Sequence, residues 1–238
     1  MSQHGHLMPG IAWAITGGGQ HLAGCVAAME NLSRREKICS YVSRAGEEVL
    51  QRYGLFPRLG AISPGGYLQE VFLERECGYS FPEAGRFMLG RFELLIVAPA
   101  TSNTVAKVVA GIADSLVTNA VSLANKAGVP VYVLPTDLDE VAFTSTPYLV
   151  RREVCLDCPS LADCPARQGC PMAAFAEQID PTLCNGCGTC VSLCPRQAVS
   201  LAEFSVRTRP IDLQNLDRLR DMPGVTVLSR LEDIAGVL

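Results

Sequence analysis

Charge is scarce in this chain. Asp, Glu, Lys and Arg together make up 18% of its 238 residues, and the formal net charge is −4. No basic field exists for nucleic acid, which excludes that class of partner. Long apolar runs are also lacking: stretches such as "LLIVAPA" (94–100) are far too short to span a bilayer. The opening residues "MSQHGHLMPG" carry neither a basic flank nor an apolar core, so export by a signal peptide is not expected. The expectation is a soluble, cytoplasmic protein. Histidine is confined to His4, His6 and His21. Disorder is excluded by a hydrophobic content of 48%, and the length admits one large domain or two modest ones.

Cysteine, in contrast, is plentiful, with eleven residues, eight of them between 155 and 194. A disulfide scaffold would be small, secreted and cysteine-dense throughout. Here Cys25, Cys39 and Cys77 stand singly in apolar or helical contexts and read as ordinary buried residues. The stretch "LCNGCGTCVSLCPRQAVSL" (183–201) places Cys184, Cys187, Cys190 and Cys194 in the pattern C-x2-C-x2-C-x3-C-P, the bacterial ferredoxin spacing. Three closely spaced thiolates wrap one face of a [4Fe–4S] cube, and the small residues between them let backbone amides approach the sulfurs. A closed zinc site is the alternative, but four cysteines packed this tightly suit a cube better. The first run, Cys155-x2-Cys158-x5-Cys164-x5-Cys170-Pro171, is looser, and zinc or a modified cluster stays open there. In the ferredoxin arrangement the fourth ligands exchange. Cys155, Cys158, Cys164 and Cys194 would hold one cluster, and Cys170, Cys184, Cys187 and Cys190 the other.

The first 150 residues alternate between strand-like and helix-like segments. Strands are expected at "GIAWAIT" (10–16), "KICSYVS" (37–43), "FELLIVAPA" (92–100) and "VPVYVLPT" (129–136). Helices are expected from Gln20 to Arg34, over "AGEEVLQRYG" with Gly54 as its stop, over 67–77, and from the third of these strands through Lys126. Such alternation with apolar strands predicts an α/β fold with a doubly wound parallel sheet, buried on both faces. The cysteine-rich segment interrupts this pattern, and strand and helix signals return in "GVTVLSRLEDIAGVL" (224–238). The organisation expected is an α/β domain over 1–150, an inserted cluster domain over 151–204, and a strand and helix from 205–238 completing the first.

Ligands of such sheets sit beyond the carboxyl ends of the strands. The loops there read "TGGGQ", "SRAG" and "PATSNT". A dinucleotide fingerprint fails, because Gly17 and Gly19 would require glycine where Leu22 stands, and Ser43-Arg44 replaces the ribose-binding acid. Ser43, Arg44 and the hydroxyls of Thr101, Ser102 and Thr104 suit a phosphomonoester and polar ring edges. NADP held by Arg44 stays open.

The stretch "APATSNTVAKVVAGIADSLVTNA" (98–120) resembles two motifs, P-A-S-A-N-T and G-I-A-D-N-L, of the flavodoxin-like flavoprotein superfamily that includes cysteine decarboxylases. They stand here as Pro99-Ala100-Thr101-Ser102-Asn103-Thr104 and Gly111-Ile112-Ala113-Asp114-Ser115-Leu116. The resemblance implies a flavodoxin-like fold binding FMN between subunits of a trimer. The cofactor residues it implies are Gly17, Gly18, Gly19, Ser43, Arg44, Pro99, Ala100, Thr101, Ser102, Asn103, Thr104, Asp114 and Ser115. The superfamily's decarboxylases also carry an early catalytic histidine and a P-x-M-N-x-x-M-W segment, whereas residues 135–141 read "PTDLDEV" here. Decarboxylation is therefore disfavoured, and His21, beside the glycine loop, reads as a helix-start packing residue in preference to a cofactor contact. With its cysteine segment the chain is similar to the iron–sulfur flavoproteins of the dihydromethanopterin reductase (acceptor) family. That resemblance implies electrons passing from a donor protein through two [4Fe–4S] clusters to FMN and on to a dihydropterin, in a homo-oligomer built from trimers. Tyr67, Glu70, Asp114 or solvent would supply the proton. Two other readings are an electron-transfer shuttle without a small-molecule substrate and an NADP-linked flavin reductase using Arg44.

Overall fold

The computed structural model describes residues 9–145, 148–155, 158, 160–201 and 203–237. Among these, ten strands run in chain order: β1 Gly10–Ile15, β2 Ile38–Val42, β3 Val71–Leu73, β4 Phe92–Ala100, β5 Val131–Pro135, β6 Val141–Ser145, β7 Leu149–Val150, β8 Val199–Ser200, β9 Glu203–Arg207 and β10 Val225–Val227. Eight α-helices accompany them: α1 Leu22–Leu32, α2 Arg44–Arg52, α3 Leu59–Ile62, α4 Ser102–Val109, α5 Leu116–Lys126, α6 Pro165–Gln168, α7 Thr189–Leu193 and α8 Pro210–Arg220.

Six strands form one wholly parallel sheet in the order β10-β5-β4-β1-β2-β3. Setting aside the three-residue edge strand β3, the order is that of a flavodoxin-like doubly wound sheet. Side chains alternate across it. Ala12, Ala14, Leu95 and Val97 join Val117, Ala120 and Val121 of α5 on one face. Ile11, Trp13, Ile15 and Ile96 join Cys25, Val26 and Met29 of α1 on the other. Burial on both faces is why these strands read as continuous apolar runs. Burial pushes the Cys25 and Cys39 thiols up to about 12, as inert packing residues require. Cys77 differs from the expectation: it is only partly buried, and its thiol donates to the Leu73 carbonyl at 3.3 Å.

Residues 67–77 are not a helix. The edge of β2 captures Val71–Leu73 as β3, starting with the Ser40 N–H donating to the Glu70 carbonyl at 2.9 Å, and a 3₁₀ turn follows over Glu74–Glu76. The helical stretch through Lys126 is two helices, the first ending where Gly111 takes a left-handed φ of 72°. Helix α8, with Pro210 at its first position, was not legible in the pattern. The final helical signal is a 3₁₀ segment, Leu231–Gly236.

The cysteine segment hangs on two short antiparallel ribbons. β6 pairs with β9, Val141 opposite Arg207, and β7 pairs with β8, Leu149 opposite Ser200. It has its own small core of Val150, Ala166, Ala174, Phe175, Ile179 and Val199. The Arg52 guanidinium donates to the Pro181 carbonyl, and Gly54 after α2 lies backbone to backbone against Gly186.

Candidate functional site

β1 and β4 are neighbours, yet α1 and α4 pack on opposite faces, so a crevice opens above their carboxyl ends. Thr16 ties its two lips together: its hydroxyl donates to the Pro99 carbonyl at 2.8 Å and accepts the Thr101 N–H at 2.9 Å. The glycine loop is pressed between neighbours. A Cβ on Gly17 would lie 2.6 Å from Ala45 Cβ, and one on Gly18 2.6 Å from Thr136 Cγ2. Only glycine lets the chain pass so close to α2 and to the end of β5.

Three capped helix N-termini face this end of the sheet. Ser43 Oγ accepts the Gly46 N–H at 3.0 Å, and Thr101 Oγ1 accepts the Thr104 N–H at 3.4 Å. Ser115 and Thr118 cap α5 reciprocally, at 3.2 and 3.0 Å. Glu74, just beyond β3, accepts the Leu116 N–H at 3.3 Å and lies 3.9 Å from Arg44, which brings the second motif to the same end as the first. Aligned N–H groups and partial positive charge suit a phosphate. The Arg44 side chain is 70% exposed, and Asn103, Gly111, Ile112 and Ala113 are exposed as well, so the crevice opens on this side.

The residues expected from the loops, Gly17, Gly18, Gly19, Ser43, Arg44 and Pro99 to Thr104, thus gather around one crevice, with Ser115 joined through Glu74. Asp114 turns aside, its carboxylate 2.8 Å from Lys107 Nζ. Tyr67 and Glu70 precede β3 and so lie toward the amino ends of the strands, away from the loops. Glu70 pairs with Arg86 at 3.0 Å, and the Arg86 guanidinium sits over the rings of Phe72 and Tyr67 at 4.8 and 5.8 Å. Neither reaches the crevice. His4 and His6 lie outside the described residues. Sequence reading missed Thr16, Glu74, Thr136 and Asp137. The Asp137 carboxylate accepts the Ser102 hydroxyl and, at 2.8 Å, that of Thr136. The available signal was position: Thr136-Asp137 is a polar pair at the carboxyl end of β5.

None of the eight clustered cysteines is in a disulfide. Cys155, Cys158, Cys164 and Cys194 line a cavity of about 310 Å³ walled by Val150, Phe175 and Val199. Cys170, Cys184, Cys187 and Cys190 line a second, tighter cleft across Phe175, closed by Tyr148 and Ile179. Backbone N–H groups already reach the sulfurs, Gly186 to Cys184 at 3.4 Å and Ala198 to Cys194 at 3.2 Å. Burial, with Cys184 next, raises the Cys190 thiol. Among the described residues no three His, Cys, Asp or Glu stand close enough for a single metal ion. Thiols in fours around apolar cavities fit the corners of a cube.

Two family models match the chain: one described as Flavoprotein over residues 70–141, and one as 4Fe-4S binding domain over 177–200. The dihydromethanopterin reductase (acceptor) of Methanosarcina mazei is 45% identical over 94% of this chain and 96% of that protein. The chain belongs to this family. The dihydromethanopterin reductase (acceptor) of Methanocaldococcus jannaschii is 40% identical, over 94% of this chain and 93% of its own. Among solved structures, DmrB of Burkholderia xenovorans, in complex with FMN and described as a cubic protein cage for redox transfer, aligns with a TM-score of 0.61. The identity is 24%, covering 95% of this chain and 91% of that one, and the likeness is one of fold. The FMN-dependent cysteine decarboxylase TvaF shares the fold at a TM-score of 0.50 and 16% identity, over 95% of this chain and 93% of that one. This chain is an iron–sulfur flavoprotein in this sense: a flavodoxin-like sheet and a ferredoxin-type segment stand in one chain.

Proposed function

We propose that this chain reduces dihydromethanopterin to tetrahydromethanopterin, with electrons passing singly from a donor protein through [4Fe–4S] clusters to FMN. The observation that carries the reading is its match to the Methanosarcina mazei reductase along 94% of its length, flavin loops and cysteine segment together. The crevice residues fit FMN. Gly17, Gly18 and Gly19 let the backbone approach the cofactor, while Ser43, Arg44 and the α2 N-terminus offer N–H and guanidinium donors to its phosphate. Thr101, Ser102, Asn103 and Thr104 offer hydrogen bonds to its polyol and ring edges. FMN supplies the conversion of single electrons into a hydride.

The same reading assigns two clusters with exchanged fourth ligands: Cys155, Cys158, Cys164 and Cys194 hold one, Cys170, Cys184, Cys187 and Cys190 the other. The amides of Gly186 and Ala198 offset negative charge on the sulfurs. Residues 151–204 act as an insertion, and 205–238 complete the domain begun by 1–150. The open side of the crevice at Arg44 and Asn103 fits completion by a neighbouring subunit, in a homo-oligomer built from trimers. Among the described residues no helix is long and apolar enough to cross a membrane, and the proposed location is the cytoplasm.

The test is anaerobic. The purified protein is reduced with a limiting low-potential donor, and dihydromethanopterin is added while the flavin band is followed. Rapid reoxidation with stoichiometric tetrahydro product supports the reading. A flavin that is reduced but ignores the pterin overturns it in favour of a shuttle.

A further inference from the structure

We propose that the pterin ring docks in the cleft between the Gly19 end of the glycine loop and strand β6. The inference rests on the reductase reading and gives its substrate a place. The cleft has a volume of about 410 Å³, and Gly19, Gln20, His21, Phe143 and Thr144 line it. Its volume lies in the ordinary range for small-molecule sites. Two elements from opposite ends of the α/β domain build it: the turn leaving β1 and the ribbon strand following β5. Because Gly19 continues the loop whose Gly17 and Gly18 pack in the switch crevice, a ring held there lies beside the cofactor loops. The groove of about 350 Å³ between α1 and the Leu231–Gly236 turn does not touch those loops.

The lining has the chemistry a reduced pterin needs. Such a ring is a flat bicycle with a 2-amino-4-oxo edge that alternates donors and acceptors. Phe143 offers a flat apolar face and is 66% exposed. Opposite it, the Gln20 amide and the His21 imidazole each carry both donor and acceptor atoms. His21 also departs from what its position calls for. It precedes α1 with a left-handed φ of 63°, yet its side chain makes no cap to the helix. Its Nε2 instead lies 3.2 Å from Gln20 Nε2. The His21 side chain is thus withheld from the cap and left among the groups that line the cleft.

The test uses the holoenzyme and dihydromethanopterin. Phe143→Ala is expected to raise KM about tenfold, the scale of one lost ring stack, with kcat, FMN content, iron content and oligomeric mass retained. Phe143→Tyr, which keeps the flat ring, restores KM. Phe204→Ala is the control. Phe204, on the partner strand of the same ribbon, is an exposed ring of the same kind that does not line the cleft, and KM is expected to be unchanged. Wild-type turnover with KM indifferent to Phe143→Ala overturns the inference and leaves the reductase reading standing. So does an equal rise in Phe204→Ala, or a fall in oligomeric mass with KM constant. A wild-type enzyme that neither binds nor reduces the pterin overturns both.

Discussion

Gly186→Ala tests how the cysteine segment is held to the flavin domain. Gly186 has a left-handed φ of 69°, and a Cβ added there would run into the backbone of Arg52, Tyr53 and Gly54. The conformation alone disfavours an L-residue by about 1–2 kcal/mol. Forcing a methyl against backbone, which has no rotamer to yield, adds about 1–3 kcal/mol. The sum, about 2–5 kcal/mol, is a large share of the roughly 5–15 kcal/mol by which a folded domain is stable. For a chain of this size it lowers Tm by at least about 4 °C. The strain falls on the loop between Cys184 and Cys187, so iron and acid-labile sulfide are expected to drop with it, while the flavin, on loops at the other end of α2, is kept. Thermal unfolding, iron and sulfide assays and flavin content on the same preparation check this. Gly78→Ala is the reference, since Gly78 lacks a left-handed φ and a Cβ there meets nothing within 4 Å. A Gly186→Ala protein with wild-type Tm and full iron would refute the contact as a structural joint.

Thr104→Ala removes the hydroxyl 3.1 Å from Thr101 Oγ1, and with Asn103→Ala is expected to weaken FMN binding about fivefold without changing iron; flavin fluorescence on the apoprotein measures it. Unchanged affinity in both variants would remove these residues from the site. Asp137→Ala strands the hydroxyls of Ser102 and Thr136, and FMN is expected to dissociate about tenfold more readily in a stopped-flow release assay. Cys190→Ser is expected to lose cluster absorbance and keep the flavin; simultaneous loss of both would make the cysteine segment integral to folding. The Arg58 guanidinium, 2.6 Å from each Glu30 carboxylate oxygen, holds Glu30 below the ordinary glutamate range. A depressed folded pKa stabilises fully above the unfolded value and is lost as pH falls through the folded one. Arg58→Met is therefore expected to flatten the acid limb of Tm against pH, and an acid limb identical to wild type would show that the pair contributes nothing.

Much of the fold is readable because the strands are buried on both faces. Runs such as "GIAWAIT" and "FELLIVAPA" have no polar alternation to confuse them, and the helix behind the glycine loop shows its period in Leu22, Cys25, Val26, Met29 and Leu32. The misreading at 67–77 has a physical origin. Val71–Leu73 is three residues long, too short for a period, and becomes a strand only because β2 presents an open edge. Helix α8 escaped for the opposite reason: its polar residues dominate, and Asp212 is buried by its neighbours rather than by its own character.

The signals that point to the candidate site are local. Ferredoxin spacing, a serine and arginine after β2, and the stretch from Pro99 to Thr104 each need only near neighbours along the chain to declare themselves. What tertiary structure alone decided is the company these residues keep. Asp137 meets Ser102 across 35 positions, Glu74 joins Arg44 to the start of α5, and Phe143 faces His21 across a cleft. The grouping of thiols around two separate hollows likewise depends on the chain doubling back across Phe175. Spacing along a chain sets which groups are present and how closely they can approach. Only the packing of one strand end against another determines which of them share a cavity.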